Sequence, residues 1–470
     1  MITESLCPQT PLPSFDTYRA WEEDFKRFHA RFAPVFSRSE PREQARKYMR
    51  GLLGPVERRN GWQLAEVMGD QRPDPMQRLL YKAHWNVDQA QDLLLAFQVE
   101  QLGDPEGIAT FDETSFGKKG TKSVGVARQY SSAAGKIDNC QVAVLMSYRS
   151  PRGYGLLDRR LYLPQAWCDD EARRQEAQVP ASIPFLTKPQ LATQMLTHAL
   201  AQGLPMRWVT GDEVYGDDTG FRQAIAAHDL FYVLAVASST PVWTARPVLE
   251  VPAPVPGRPG RRAKHPRLAA GQPGRGPVSA VVAALPPTAW TRLAVSQGEK
   301  GPIEYDWALV SVVESHRRLP GPDARLLVRR SCSDPTELAY YLSNAPQQYA
   351  LETLARVAAQ RFTVEQCIQE AKDDTGMDQY EVRTWQSWHR HMTLTLMALA
   401  WLGSVRRRAE GSKRGVPRLG APDHHGSPPP AGDHLAVAAL LQSLAPGVVP
   451  VAPSAASASP SEPLPTKSPL

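Results

Sequence analysis

The amino-acid sequence predicts an α/β protein, and three observations carry that expectation. Two short apolar runs, Gly107-Ile-Ala-Thr-Phe-Asp112 and Arg207-Trp-Val-Thr-Gly-Asp212, read as strands whose last residue is an aspartate. Helix and strand patterns then alternate as a parallel unit requires: helix over 189–202, strand over 206–211, helix over 219–228, strand over 230–236. Finally, a long helix over about 348–374 places Arg361, Glu365 and Lys372 within about 40° of one another. Leu354, Val357 and Ile368 share that stripe, so three charges lie on the helix's apolar face.

An ordinary surface helix turns its charges to water, because a buried unpaired charge is costly. Taken alone, the trio reads as a solvated or salt-bridged group. Taken with two strand-terminal aspartates, it reads as the third part of a carboxylate site, since open α/β sheets place their chemistry at the carboxyl ends of strands. Three carboxylates suit a pair of hard, oxygen-seeking divalent cations, the arrangement that clamps the attacking and leaving oxygens of a phosphoryl transfer.

The order Asp112, Asp212, Glu365, with Arg361 before the glutamate and Lys372 after it, resembles the DDE transposases of the insertion-sequence-4 clan. Within that clan, Ala109-Thr-Phe-Asp112-Glu-Thr-Ser-Phe-Gly-Lys-Lys-Gly120, Gly135-Lys-Ile-Asp-Asn-Cys-Gln-Val142, Gly211-Asp212-Glu-Val-Tyr-Gly216 and Gln369-Glu-Ala-Lys372…Asp378-Gln-Tyr-Glu-Val-Arg383 resemble the 701 family of bacterial insertion sequences. The match runs from about Phe36 to Leu402. The resemblance implies a ribonuclease-H-like catalytic core with a helical N-terminal domain and a β-rich insertion before the last catalytic helix. It implies a transposase that cleaves at the element's ends and transfers the freed 3′-OH into target DNA. Asp112, Asp212 and Glu365 would be catalytic and metal-binding, holding two Mg²⁺ ions for which Mn²⁺ substitutes. The implied partners are terminal inverted repeats, target DNA and a second copy of the chain. One departure stands out: a tyrosine is usual three residues before the arginine, and this chain has Ala358 there.

Arg361 and Lys372 are spaced to hold phosphates beside the metals, the arginine bidentately and the lysine as a point charge. Lys118, Lys119 and Lys122, just past Asp112, are expected to grip DNA. Glu370 lies about 180° from Arg361 around the helix, which favours Glu365 as the third ligand. Asp138 sits in a turn before a strand, and Glu113 and Glu213 alternate to the other side if their strands continue, so all three are set aside. Two other classes of function remain: a remnant that binds element ends without cutting, against which the five intact residues argue, and a different metal-dependent phosphoesterase on the same sheet.

The 470 residues suffice for two or three domains, and 54 basic against 48 acidic residues permit a polyanionic partner. Five scattered cysteines without a C-x-x-C pair argue against a zinc site or disulfide framework and fit a reducing cytoplasm. There is no signal-like N-terminus, and the longest apolar run, around 392–402, is short of the roughly 20 residues of a membrane span. The expectation is a soluble, nucleoid-associated bacterial protein.

In chain order, residues 1–105 read as a helical N-terminal DNA-binding region in which Arg42, Arg46, Lys47, Arg50, Arg58 and Arg59 either track phosphates or form a solvated face. Residues 106–239 form the first part of the core, with strands over 108–111, 140–148 and 154–162 before the α/β unit. The insertion spans 240–347: a Pro/Gly-rich basic loop carrying Arg258, Arg261, Arg262, Lys264, Arg267 and Arg275, then strands over 290–295, 305–313, 325–330 and 338–343. The second part of the core, 348–405, holds the catalytic helix and an apolar helix over 385–405 whose Trp385, Trp388 and Trp401 read as core filling. Residues 406–470 read as a disordered tail that includes His424 and His425 and a short helical stretch over 434–444.

Overall fold

The computed structural model describes residues 15–251, 265–298 and 301–413. Arg258, Arg261, Arg262, Lys264, the His424–His425 pair and the tail past 413 lie outside the described residues. The N-terminal region is helical as expected, with α1 (Phe15–Ala30), α2 (Ser39–Leu52), α3 (Gly61–Val67), α4 (Asp74–Tyr81) and α5 (Val87–Leu102). Phe25, Phe28 and Phe32 recur at helical spacing and are all buried. Asn86 opens α5, its side-chain oxygen accepting from the N–H groups of Asp88 and Gln89, which lack partners inside the helix.

Next come β1 (Ile108–Gly117), β2 (Ala127–Ser131), β3 (Lys136–Ser150) and β4 (Gly153–Tyr162), all antiparallel to their neighbours in this group. β1 does not end at Phe111 as expected. Its ladder with β3 runs from Ile108↔Arg149 to Gly117↔Cys140, and that single partner keeps it extended. Residues 127–131, outside the strands expected from sequence, pair with the start of β3 and so become β2. The short helices α6 (Gln165–Cys168) and α7 (Glu171–Glu176) lead to α8 (Lys188–Ala201), which opens with a capping box between Thr187 and Gln190. β5 (Trp208–Gly211), α9 (Glu213–Gly216), α10 (Thr219–Ala227) and β6 (Phe231–Val236) complete the α/β unit. β5 runs parallel to β1 on one side and to β6 on the other.

The insertion contributes β7 (Pro241–Trp243), β8 (Leu249–Glu250), β9 (Arg267–Leu268), β10 (Gly276–Pro277), α11 (Val278–Ala283), β11 (Thr291–Gly298), β12 (Gly301–His316), β13 (Leu319–Ser331) and β14 (Leu338–Ser343). β14 pairs antiparallel with β6, from Tyr340↔Val236 to Ser343↔Val233. The β-rich stretch therefore extends the core sheet, and among the described residues one twelve-stranded sheet runs β10-β7-β12-β13-β14-β6-β5-β1-β3-β2, with β11 on β12 and β4 on β3.

The helix expected over 348–374 is two helices, α12 (Leu351–Ala359) and α13 (Phe362–Thr375), followed by α14 (Trp385–Lys413). At the junction the amides of Gln360 and Arg361 bond back three residues, to Val357 and Ala358, instead of four. Such a tightened turn re-aims the chain without proline or glycine. α12 packs over β5 and β6, and α13 over β1, β3 and β4. Gly376, in the left-handed region at φ 57°, closes α13 by bonding its amide to Lys372. α14 extends beyond the expected 405 and fills the interior: Trp388 and Trp401 are fully buried. It also anchors the N-terminal helices, with Tyr48 Oη 3.0 Å from His391 Nδ1, and Trp401 Nε1 donating to Asp24 at 3.0 Å. Side chains alternate along β1 between two cores. Ala109 and Phe111 face α8 and α10, whereas Ile108 and Phe116 face the side covered by α12, α13 and α14. Among the described residues no helix is long and apolar enough to cross a membrane.

Candidate active site at the ends of two parallel strands

The parallel pairing of β1 with β5 stops at Phe111↔Gly211, and Asp112 and Asp212 are the next residues on each strand. Both fall on the face of Ile108 and Trp208, toward α12 and α13. Asp212 caps α9, its carboxylate accepting from the Val214 N–H at 2.9 Å. Asp112 accepts from the Glu113 N–H at 2.7 Å. Local hydrogen bonds thus fix both carboxylates at the point where the two strands part.

Glu113 does alternate to the opposite face, where Lys188 forms an ion pair with it and the Tyr215 hydroxyl donates to it at 3.1 Å. Its carboxylate nevertheless lies close to the other two, just beyond the point where the pairing of β1 with β5 ends. Oxygens of Asp112, Glu113 and Asp212 all lie within 4.8 Å of one another. The signal in the sequence was the adjacency of Asp112 and Glu113; nothing in it marked Lys188 and Tyr215 as the residues that would hold Glu113.

The charges oppose one another. Burial, and then the Asp212 charge, push the Asp112 carboxyl up to about 7, against the pull of the Arg361 guanidinium. Burial, and then Glu113, push Asp212 up to about 6, again against Arg361. Three converging carboxylates offer only oxygen donors, and the raised proton affinity of Asp112 and Asp212 comes from their burial and then from neighbouring negative charge. Both features fit a hard divalent cation of the magnesium kind.

Arg361 stands at the start of α13, over the gap where α12 has left β5 and α13 begins to cover β1. Its Nη1 lies 2.9 Å from Oε1 of Glu365, and its guanidinium stacks 4.8 Å from the Phe362 ring. Glu365 has a half-exposed side chain and stands outside the group of converging carboxylates, joined to it through Arg361. Glu370 is packed inward, accepting from the Tyr154 hydroxyl at 2.7 Å. Lys372 is partly buried, and burial lowers its pKa against the opposing pull of Asp378 and Asp373.

Lys118 is no free loop cation. Its amine donates to the Tyr380 carbonyl at 3.1 Å, lies 3.6 Å from the centre of that ring and is lowered to about 8 by burial. Lys119 is exposed, and Lys122 pairs with Glu176 at 2.7 Å. Of the N-terminal cations, Arg46 pairs with Glu43, Lys47 with Asp70 and Arg50 with Glu22, and Arg59 donates to the Leu52 carbonyl at 2.7 Å. Arg42 and Arg58 are exposed.

Comparison with known proteins agrees with this chemistry. The family model described as DDE superfamily endonuclease matches residues 31–302, a span that includes Asp112, Glu113 and Asp212. The chain is 25% identical over 231 residues to a probable transposase for insertion sequence element IS701 from Microchaete diplosiphon. That alignment covers 49% of this chain and 57% of the relative, so little more than half of the relative is spanned. Among solved structures, a piggyBac transposase synaptic complex with hairpin DNA aligns over 92% of this chain and 72% of its own, with 10% identity and a TM-score of 0.38. The NurA nuclease from Sulfolobus solfataricus aligns over 58% and 81%, with 10% identity and a TM-score of 0.24. Scores this low superpose no site on another.

Proposed function

The chain belongs to the DDE superfamily of endonucleases, and from that premise we propose that it is a transposase that cuts at the ends of an insertion sequence and transfers the strand into target DNA. The observation that carries the reading is the convergence of the Asp112 and Asp212 carboxylates just beyond the last paired residues of two adjacent parallel strands. The strand order β4-β3-β1-β5-β6, antiparallel and then parallel, supports a ribonuclease-H-like core around that pair.

In this reading Asp112 and Asp212 hold the cations and Glu365 completes the set. Two Mg²⁺ or Mn²⁺ ions bound there would supply charge neutralisation and an acidified water for phosphoryl transfer. Arg361 turns its planar guanidinium onto a DNA phosphate, which frees Glu365 from the 2.9 Å pair and leaves its carboxylate to swing toward the aspartates. Lys119 and Lys372 hold the DNA backbone beside the site, and Lys118 joins them only if its amine leaves Tyr380. The partners are the terminal inverted repeats, target DNA and a second copy of the chain bridging two ends.

A second reading of the third ligand rests on Glu113, which already stands within 4.8 Å of both aspartates. Excision of a marked donor bearing the gene's own flanking ends separates the two. Wild type and Glu370→Gln are expected to excise, and Glu365→Gln to bind the ends without excising. If Glu365→Gln still excises and Glu113→Gln does not, the third ligand is Glu113. A wild type that binds the ends and never cuts sinks the enzymatic reading and leaves an end-binding remnant.

A further inference from the structure

The face of β1 that carries Asp112 continues onto the β2–β3 hairpin, where Arg128, Tyr130 and Ile137 are exposed among the described residues. Arg128 pairs with Asn139 and Tyr130 with Ile137, so these four side chains share one face of the hairpin. Tyr130 is 61% exposed and Ile137 62%. Lys119, also exposed, lies in a loop fastened to the same place: the Asn139 side-chain amide donates to the carbonyls of Lys118 and Gly120 at 2.7 and 2.8 Å. Neither Lys119 nor Arg128 makes an ion pair among the described residues, although most cations of the N-terminal helices do. Asp138 belongs to the other face, and Asp378 and Glu381 lie beside the half-buried Lys118.

The patch shares its face of the sheet with the site. α13 lies across β1, β3 and β4 on that face, with Arg361 acting on Asp112, and Asp378 acts on both Lys372 and Lys118. Arg361, Lys372, Lys119 and Arg128 are therefore cations on the side of the sheet that carries Asp112. Along β3, Asn139 and Ile137 are six and eight residues from Leu145, the partner of Asp112. At about 3.4 Å per residue that is about 20–27 Å, or about six to eight base pairs of duplex at about 3.4 Å each.

We infer that the β2–β3 hairpin is a second DNA contact, with Lys119 and Arg128 on backbone phosphates about six to eight base pairs from the scissile bond and Tyr130 and Ile137 against the sugar edge. This rests on the transposase reading and adds to it where the duplex leaves the site. Unpaired cations beside an exposed aromatic, on the same face of the sheet as the converging carboxylates, favour a nucleic acid over a second protein chain.

The test is the salt dependence of binding between the full chain and a 60-base-pair duplex of the gene's flanking sequence. Lys119→Ala/Arg128→Ala is expected to reduce the slope of log affinity against log salt by about 1.8, at about 0.9 for each phosphate that is no longer neutralised. Tyr130→Ala is expected to weaken binding at every salt concentration with the slope unchanged. An unchanged slope in the double variant overturns the hairpin's role in DNA binding while leaving the transposase reading intact. A Tyr130→Ala variant that changes only the sedimentation of the free protein overturns it in favour of an interface between copies. Absence of duplex binding in wild type overturns the transposase reading itself.

Discussion

Arg222 on α10 donates from Nε to a Glu314 carboxylate oxygen at 2.9 Å, and the two side chains are only 4% and 1% exposed. The pair joins the α/β unit to the long insertion strand β12. Arg222 also donates to the Gly216 carbonyl in the turn capped by Asp212, while the Tyr232 hydroxyl and His316 Nε2 bond to the same Glu314. A buried pair of this kind adds little over an apolar replacement, but breaking it strands a charge. Glu314→Gln is expected to cost about 3–5 kcal/mol in urea unfolding. Arg222→Met/Glu314→Gln should cost less than the sum of its single variants, because neither charge is then left alone. Additive costs would show that the two residues act separately.

Asp112→Asn removes one of three converging negative charges. In chelator the variant is expected to be more stable than wild type by about 1 kcal/mol, since each unit of raised pKa corresponds to about 1.4 kcal/mol and the site is partly open to water. Adding Mg²⁺ should raise the melting temperature of wild type by preferential binding to the folded state and leave the variant unmoved. Equal Mg²⁺ shifts in both proteins would place the cation elsewhere.

Three histidines are folded in the neutral form. Burial pushes His29 and His391 down to about 4 and His389 to about 3, from an ordinary value of 6.5. The unfolded chain takes up protons below about 6.5, whereas the folded chain takes up few until about 4, so stability is full above that window and falls as pH drops through it. Asp158, held at about 2 chiefly by Arg160 and His198 against its burial, adds its loss only at lower pH. Asp112 and Asp212, raised to about 7 and about 6, act in the opposite sense, because the folded chain takes up their protons first. The histidine contribution is therefore read as a difference: in urea midpoints from pH 7.5 to 4.5, His391→Gln should start lower at pH 7.5 and lose less than wild type toward pH 4.5. An identical pH dependence in His391→Gln and wild type would mean that this ring takes up its proton over the same range in the folded and unfolded chain.

The parts of this architecture that local pattern determines were readable in the residues. Asp112 and Asp212 end apolar runs, Asn86 caps α5, and the insertion's strands lie close to where their alternation puts them. What was not readable depends on partners far away in the chain. The pairing of Tyr340 with Val236 that makes one sheet of core and insertion has no local mark. The same holds for the bond between Tyr48 and His391, 343 residues apart. The break at Gln360–Arg361 carries neither proline nor glycine, because it follows from α12 and α13 packing on different strands. Glu113 shows a related limit: alternation gives its face, but its closeness to Asp112 and Asp212 lies just beyond the point where the pairing of β1 with β5 ends, which has no local mark.

Gly216 ties the stability of the fold to the geometry of the site. A Cβ placed there would lie 1.6 Å from the Ala235 carbonyl oxygen on β6, a backbone atom that no side-chain rotation can move aside. Gly216→Ala must therefore push α9 away from β6, and Asp212, the cap of that turn, moves with it. Overpacking of this kind costs about 1–3 kcal/mol or more. The expected result is a lowered melting temperature in chelator together with a reduced Mg²⁺ shift, whereas Glu314→Gln, more distant from the carboxylates, should lower the first and leave more of the second. If Gly216→Ala lost stability but kept the full Mg²⁺ shift, the α9 turn would not be what positions Asp212.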